Sequence, residues 1–288
     1  MDLHMIVLVK QVPDTHNISG QAMKEDGTVN RDALQAIFNP EDLNALEEAL
    51  RLKERYGGRI TAITMGPPKA VEVLKECLYR GADEAALISD RAFAGADTLA
   101  TSYALSCAIA KSGGGDIILC GRQAIDGDTA QVGPQIAQKL GMNQLTNIIQ
   151  IDSIQDGRMT VRRAMDDGFE TVRASLPLLL TVHGQANEPR SPSAKLVMAY
   201  KNIGCAGDEA YDESYIEPQC EGYISQIKEW NIEAIQADHE RCGLSGSATK
   251  VKKIENVVLA ARETKQIEGT EQGVTGLVKE LVDEHIIG

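Results

Sequence analysis

Aromatic residues are scarce in this chain of 288 residues: they make up 4% of it, and there is one tryptophan. Proteins that bind single-stranded nucleic acid stack bases on aromatic side chains, so this scarcity argues against such a surface. Basic residues are also outnumbered, with 29 lysines and arginines against 42 aspartates and glutamates and a formal net charge of −13. That excess of negative charge argues against nucleic-acid and anionic-membrane partners.

Long apolar runs, leader signals and paired cysteines are missing as well. No apolar run approaches the roughly 20 residues of a membrane span, and the first residues, MDLHMIVLVKQV, lack the basic start of a signal peptide. The six cysteines form no CxxC pair, so a reducing cytoplasm is the expected location. Isolated histidines and the lack of a nucleophile with a paired base predict neither a zinc site nor hydrolase chemistry.

What the chain does contain is a regular alternation of short apolar runs and helical patterns. The apolar runs predict strands at 5–11, 59–65, 85–89 and 116–120. Helices are predicted from Asn39 to Gly57, at 69–80 and at 98–111, the first with Asn39 as N-cap, Pro40 at its first position and acids in its first turn. Four such strand–helix units predict a mainly parallel, doubly wound α/β sheet with helices on both faces.

The pattern changes after residue 141. Four runs at 144–151, 158–165, 169–175 and 177–183, joined by short turns, predict antiparallel strands at the edge of the sheet. Beyond residue 198 the chain is acidic and glycine-rich, with one short amphipathic helix at 275–285. We therefore predict an α/β domain at 1–198 and, at 199–288, a C-terminal arm that lies on a partner protein.

Residues 116–141 are the stretch around which the chain is organised. A strand ends at Gly121, a loop carries Asp126, Gly127 and Asp128, and Thr129 is the predicted N-cap of a helix that runs to Leu140. In open parallel sheets, ligands bind where such a strand meets such a loop, and the free N–H groups of the helix start suit a phosphate. The acidic side chains could accept hydrogen bonds from a ribose or an adenine amino group. The alternative is an ordinary turn with a solvated acidic loop.

Residues 243–250 (GLSGSATK) have the composition of a phosphate-binding loop but lack its GxxxxGK[ST] spacing. The Asp126–Asp128 pair likewise lacks the alternating ligands and the distal glutamate of a calcium loop. Neither segment is predicted to be a site of that kind.

Four ordered motifs carry a resemblance to a known family: residues 7–14 (VLVKQVPD), 39–42 (NPED), 121–128 (GRQAIDGD) and 187–190 (NEPR). Together they resemble the beta subunit of electron transfer flavoprotein. The resemblance implies a heterodimer with an alpha subunit, and it implies that the nucleotide site lies at the loop after Gly121.

The family has two branches, which hold either a structural AMP or a second FAD in this subunit. Housekeeping members typically read DDDxNQTG in the loop, whereas residues 126–134 read DGDTAQVGP, like the electron-bifurcating branch. Residues 95–102 (GADTLATS) also resemble that branch, in which the threonines lie near the extra flavin. The resemblance thus implies FAD, with AMP as the alternative.

By this resemblance, the beta-subunit FAD would accept a hydride from NADH. It would send one electron to ferredoxin or flavodoxin and the other, through the alpha-subunit FAD, to an acyl-CoA or 2-hydroxy-acid dehydrogenase. Since the flavin performs the redox steps, no catalytic side chain is predicted. A housekeeping subunit with AMP and a stand-alone adenine-nucleotide sensor remain as alternatives.

The residues expected at the nucleotide fall into three groups: an adenosine end, a threonine segment and the loop itself. They are Leu8, Asn39 and Met65; Asp97, Thr98 and Thr101; and Gly121, Arg122, Gln123, Ala124, Ile125, Asp126, Gly127, Asp128, Thr129, Ala130, Gln131 and Val132.

The segment after residue 186 resembles the loop by which the family docks on dehydrogenases. Its expected docking residues are Asn187, Glu188, Pro189 and Arg190. Family members usually continue with Tyr, whereas this chain has Ser191, so the partner's identity is left open.

Overall fold

A computed structural model of the chain describes residues 2–14, 35–205, 224, 226–249 and 266–283. The strands are β1 (His4–Leu8), β2 (Gln11–Pro13), β3 (Ala36–Phe38), β4 (Arg59–Met65), β5 (Glu84–Ile88), β6 (Ile117–Gly121), β7 (Asn143–Gln155), β8 (Arg158–Met165), β9 (Gly168–Ser175), β10 (Leu178–Val182) and β11 (Lys228–Trp230). The helices are α1 (Pro40–Tyr56), α2 (Val71–Arg80), α3 (Thr98–Lys111), α4 (Val132–Leu140), α5 (Ala194–Tyr200) and α6 (Glu271–Asp283).

Nine of the strands form one sheet in the order β11-β5-β4-β1-β6-β10-β7-β8-β9. The chain runs outward from β1 through β4 to β5 and then returns to β6 on the other side of β1. All of these neighbours pair in parallel. The direction of winding therefore reverses between β1 and β6, which opens a crevice at the carboxyl ends of these two strands.

The two faces of the sheet are covered by different helices, as alternate side chains of β1 show. Met5 and Val7 belong to the core that contains α1 and α2, whereas Ile6 and Leu8 belong to the core that contains α3 and α4. All four side chains are buried. A strand buried on both faces reads as a continuous apolar run, which is why the pattern predicted this sheet correctly. The doubly wound α/β fold is confirmed.

The predicted antiparallel edge is only half right. The strands β8 and β9 pair antiparallel at the edge, but β10 lies inside the sheet, parallel to both β6 and β7. Every residue of β10 is buried. Such a run marks a central strand rather than an edge strand, so its composition, LLLTV, was the signal that the edge prediction did not use.

Part of the expected C-terminal arm packs on this chain's own sheet. The strand β11 pairs in parallel with β5, at the opposite edge from β9. Ile232, Ile235 and Cys242 are buried in the core that contains α3 and α4. The division of the chain at residue 198 remains a prediction, and residues 206–223, 225, 250–265 and 284–288 of the predicted arm lie outside the described part.

Three further differences concern single elements. The first predicted strand ends at Leu8, and the short strands β2 and β3 pair antiparallel on either side of residues 15–34, which lie outside the described residues. The helix predicted at 275–285 begins earlier, at Glu271, while α5 was not predicted. None of the described helices combines the length and the apolar character that crossing a membrane requires.

Candidate functional site

The crevice between β1 and β6 is bordered by the loop at 122–131, which joins β6 to α4. The first turn of α1 holds this loop through side-chain contacts. The amide nitrogen Nδ2 of Asn39 donates to the Gln123 carbonyl at 2.9 Å, and Asn39 Oδ1 accepts from the Ile125 N–H at 3.1 Å. Asn39 is fully buried. It occupies the predicted N-cap position, but its side chain makes no cap bond to the helix, because the loop takes both of its polar atoms.

Two acids of the same turn complete this attachment. The carboxylate of Glu41 accepts from the Gln123 N–H at 3.0 Å and pairs with Arg122 at 3.1 Å. Asp42 accepts from the N–H groups of Gly121, at 2.8 Å, and Lys10, at 2.9 Å. One carboxylate thus joins the segments that follow β1 and end β6. Burial raises the pKa of Asp42 to about 7, although the N–H groups that donate to it act in the opposite direction.

Gly121 is required where the strand meets this turn. A Cβ atom at this position would lie 2.6 Å from Asp42 Oδ1 and 2.7 Å from the backbone nitrogen of Asp42. Any larger residue would push the loop away from α1.

Lys10 reaches across the crevice. Its ammonium group donates to both carboxylate oxygens of Asp126 at 2.8 Å. Asp128 accepts from Gln123 Nε2 at 2.9 Å. The acidic loop is therefore partly neutralised and partly bonded within itself. Lys10, Glu41 and Asp42 were not among the predicted site residues, although all three lie in the motifs that carried the family resemblance.

The backbone of the loop is unusual at two positions, and neither is Gly127. Asp128 and Ala130 adopt φ values of 50° and 53°, in the left-handed region that is unfavourable for residues with a Cβ atom. Gly127 has no positive φ, and a Cβ atom there would meet nothing within 4 Å. Neither the backbone conformation nor packing within the chain therefore requires glycine at position 127. Its small size leaves space on the outside of the loop.

The helix after the loop begins later than predicted. The N-cap position of α4 is Gln131, not Thr129, and Gln131 makes no side-chain cap bond. Residues 127–131 are exposed. The N–H groups of the first turn of α4 therefore face the loop without a capping side chain, and the helix dipole adds positive potential there.

The side chain of Gln131 instead joins the loop to the second predicted segment. Thr98 Oγ1 donates to Gln131 Oε1 at 2.8 Å, and Gln135 Nε2 donates to Thr98 Oγ1 at 3.3 Å. Asp97 caps α3 by accepting from the N–H groups of Leu99 and Ala100 at 2.9 and 3.0 Å. The predicted loop and the predicted threonine segment are thus in direct contact. Thr101 lies one helical turn further along α3 and is partly exposed.

Two of the predicted adenosine contacts, Leu8 and Met65, lie at the carboxyl ends of their strands, as the loop after β6 does. Leu8 ends β1 and Met65 ends β4, and these strands are parallel neighbours. A cavity of about 640 Å³ opens beside Met65, at the carboxyl ends of β4 and β5, with Pro67, Asp90 and Phe93 among its lining residues. Met65 lines this cavity, whereas no residue of the loop at 122–131 does.

The predicted docking residues are fixed to the far side of α1. Arg190 pairs with Glu47 at 2.8 Å and with Glu54 at 2.5 Å, and Asn187 Nδ2 donates to Glu48 Oε1 at 2.9 Å. Burial opposes ionisation of Glu47, but the hydrogen bonds from Arg190 outweigh it and lower the pKa of that carboxyl. Sequence reasoning missed these acids, although Glu47 and Glu48 interrupt the apolar face of α1. The Arg190 guanidinium is thus engaged within its own chain.

The chain is similar to known proteins over nearly its whole length. Residues 26–203 match the electron transfer flavoprotein domain. The chain is 40% identical to "Electron transfer flavoprotein subunit beta" of Clostridium acetobutylicum, over 99% of this chain and 100% of that protein. It is 44% identical to "Caffeyl-CoA reductase-Etf complex subunit CarD" of Acetobacterium woodii, over 86% of each chain. It is 48% identical to "Acryloyl-CoA reductase electron transfer subunit gamma" of Anaerotignum propionicum, over 65% of this chain and 70% of that protein.

Proposed function

This chain belongs to the electron transfer flavoprotein family as a beta subunit, and we propose that it holds FAD in the crevice between β1 and β6 and serves electron bifurcation. The observation that carries the proposal is the contact between Thr98 and Gln131. It joins the two segments that resemble the bifurcating branch at the uncapped start of α4.

The residues of the crevice fit a nucleotide. The first-turn N–H groups of α4 suit a phosphate or pyrophosphate, which needs donors and positive potential rather than carboxylates. The acidic side chains of the loop suit hydroxyl and amino donors of the nucleoside. Leu8 and Met65 would border its adenosine end, next to the cavity at the ends of β4 and β5.

A flavin also needs room and polar groups beyond the phosphates. The open space outside Gly127 supplies room, and the hydroxyls of Thr98 and Thr101 stand on the first turns of α3. Bound FAD would supply the redox chemistry: hydride acceptance from NADH, one electron to ferredoxin or flavodoxin, and one to the alpha-subunit FAD. The residues of this chain bind, orient and shield the flavin, and none is assigned a catalytic step.

An alpha subunit is part of this proposal. The two relatives named as a reductase–Etf complex subunit and a reductase electron transfer subunit belong to multi-subunit systems. In this chain, α6 has no buried residue and exposes Val274, Val278 and Val282, three residues one helical turn apart. We propose that α6 lies on the alpha subunit.

The dehydrogenase partner is proposed to act on acyl-CoA substrates. The names of the two relatives, caffeyl-CoA reductase and acryloyl-CoA reductase, both specify CoA thioesters, which favours this class over a 2-hydroxy-acid dehydrogenase. Since Arg190 is bound by Glu47 and Glu54, we propose that it orders the docking segment from within. A cytoplasmic location remains a prediction from the sequence.

The nucleotide released on denaturing the alpha–beta heterodimer tests the proposal most directly. We expect two FAD and no AMP per heterodimer. One FAD and one AMP would refute bifurcation and leave the family assignment intact. A second measurement follows NADH oxidation by the complete complex, which should require both a low-potential acceptor and the partner's substrate. Full reduction of that substrate without ferredoxin would also refute bifurcation.

A structural AMP is the second candidate, and one observation favours it. The loop at 122–131 is already held by Asn39, Glu41 and Lys10. Such a preformed cradle suits a ligand that performs no chemistry. A stand-alone nucleotide sensor is disfavoured, because the relatives are named as subunits.

A further inference from the structure

Residues 243–249 form hydrogen bonds with the loop that leads into α3. This segment resembles a phosphate-binding loop in composition. Ser247 Oγ accepts from the Asp97 N–H at 2.8 Å and donates to the Gly243 carbonyl at 2.7 Å. Thr249 donates to Asp97 Oδ2 twice, from its N–H at 2.9 Å and from its hydroxyl at 3.0 Å. We call this arrangement of Ser247, Thr249 and Asp97 the clasp.

The clasp divides the two carboxylate oxygens of Asp97 between two elements. Oδ1 caps α3 through the N–H groups of Leu99 and Ala100, and Oδ2 accepts both bonds from Thr249. Asp97 therefore has a full set of partners inside the chain. Burial opposes its ionisation, but the donors from α3 and Thr249 outweigh it, so the pKa of this carboxyl lies below its ordinary value.

Close packing shows that the two segments are built to fit each other. A Cβ atom on Gly243 would lie 2.2 Å from the Ala92 carbonyl oxygen, and one on Gly95 would lie 2.7 Å from Leu244 Cγ. Both glycines also have positive φ values, 54° and 72°. Only glycine permits both the approach and the backbone conformation.

The clasp is connected to the crevice through Thr98. Thr98 follows Asp97, and its hydroxyl donates to Gln131 at the start of α4. A displacement of Asp97 would carry the first turn of α3 with it, because Asp97 is the cap of that turn. The series of contacts runs from Thr249 through Asp97 and Thr98 to Gln131.

We propose that Ser247 and Thr249 are positioning residues of the cofactor site, which act by holding Asp97 so that Thr98 meets Gln131. The inference rests on the proposed function, since it assumes a nucleotide beside Thr98 and Gln131. It assigns to the region after residue 198 a role within this subunit's own site.

The test uses the alpha–beta heterodimer with Thr249→Val, which removes the hydroxyl donor at nearly constant size. We expect faster amide exchange at Leu99 and Ala100, and FAD affinity lowered roughly five- to tenfold, the equivalent of about one ordinary hydrogen bond, because the change reaches the cofactor only through Asp97 and Thr98. Thr249→Ser retains the hydroxyl and should restore both values. Thr275→Val is the matched control, because the hydroxyl of Thr275 bonds within α6, to the Glu271 carbonyl.

Three results would overturn the inference: unchanged exchange and affinity in Thr249→Val, faster exchange with unchanged affinity, or a failure of Thr249→Ser to restore the parent values. A parent heterodimer that contains AMP would refute the proposed FAD site alone. In that case AMP affinity and the same amide exchange would still test the clasp.

Discussion

The two sides of the crevice differ in how they are held. On the holding side, the side chains of Asn39 and Asp42 are buried and that of Glu41 is partly buried. They form hydrogen bonds with the backbone after β1, at the end of β6 and in the loop that follows β6. On the open side, residues 127–133, the chain is mostly exposed, contains two left-handed residues and leads into a helix start without a capping side chain. The contrast teaches that one side of a crevice can be fixed by buried contacts while the other side stays exposed, with a helix start that no side chain caps. Substitutions on the holding side should therefore cost folding stability, whereas those on the open side should cost binding.

The largest effect expected from a glycine substitution distinguishes Gly121, which ends β6, from Gly127 in the loop that follows. Gly121→Ala should destabilise the folded chain by roughly 3 kcal/mol and abolish nucleotide binding, because the new methyl group would collide with Asp42. Gly127→Ala should change the free energy of unfolding by less than about 0.5 kcal/mol. Urea unfolding of both variants measures the difference, and equal losses would remove the distinction between the two sides.

Gly127→Val sharpens the same contrast. Since Gly127 has open space around it, the valine should leave folding stability nearly unchanged. It should weaken FAD binding, because its branched side chain would occupy the space in which the cofactor approaches the backbone of the loop. Unchanged flavin content in this variant would mean that Gly127 does not face the nucleotide.

A smaller loss of folding stability is expected from replacing Asn39, whose side-chain amide links the start of α1 to the loop at 122–131. Asn39→Ala removes two hydrogen bonds from a fully buried position and should destabilise the chain by roughly 2 kcal/mol. Thr129→Ala, in the exposed part of the loop, is the control and should stay within about 0.5 kcal/mol. A stable Asn39→Ala variant would contradict the holding role.

We expect the free energy of unfolding to depend on pH, because the carboxyl group of Asp42 is buried. The pKa of Asp42 is about 7 in the folded chain and 3.8 as its ordinary value, so between these values the folded state binds more protons than the unfolded state. Its contribution to stability is thus present below pH 3.8 and is lost as the pH rises to about 7, with a slope of up to about 1.4 kcal/mol per pH unit. Unfolding of Asp42→Asn, measured against the parent over this range, should lack that slope. Parallel curves would show that Asp42 does not titrate there.

The smallest effects are expected from the two threonines of α3. Thr98→Val and Thr101→Val each remove one hydroxyl and should weaken flavin binding by roughly 1 kcal/mol. Thr101→Val should leave the unfolding midpoint nearly unchanged, whereas Thr98→Val also loses the bonds to Gln131 and Gln135 and should lower it. Titration of each variant with FAD measures this. If Thr101→Val binds FAD and couples both electron acceptors as the parent does, Thr101 contributes packing only.

The local pattern of residues predicted most of the strands and helices, because secondary structure depends mainly on residues that are close in the sequence. The strands β1, β4, β5 and β6 and the helices between them follow from apolar runs, helical periodicity and glycine stops such as Gly81 and Gly141. The start of α1 at Pro40 follows from its proline and first-turn acids. The start of α4 was misplaced by two residues, because Ala130 adopts a left-handed backbone conformation that its residue type does not signal.

The sequence by itself determined the doubly wound architecture, the loop between β6 and α4 and the family to which the chain belongs. Only the tertiary structure decided that β10 lies inside the sheet, that Asn39 and Glu41 hold a loop more than 80 residues away, and that Thr249 binds Asp97 across 152 residues. The physical reason is that periodicity and capping are encoded by residues within a few positions of one another. Hydrogen bonds between distant segments depend on the strand order, and the donors and acceptors that form them look like ordinary polar residues until the sheet brings them together.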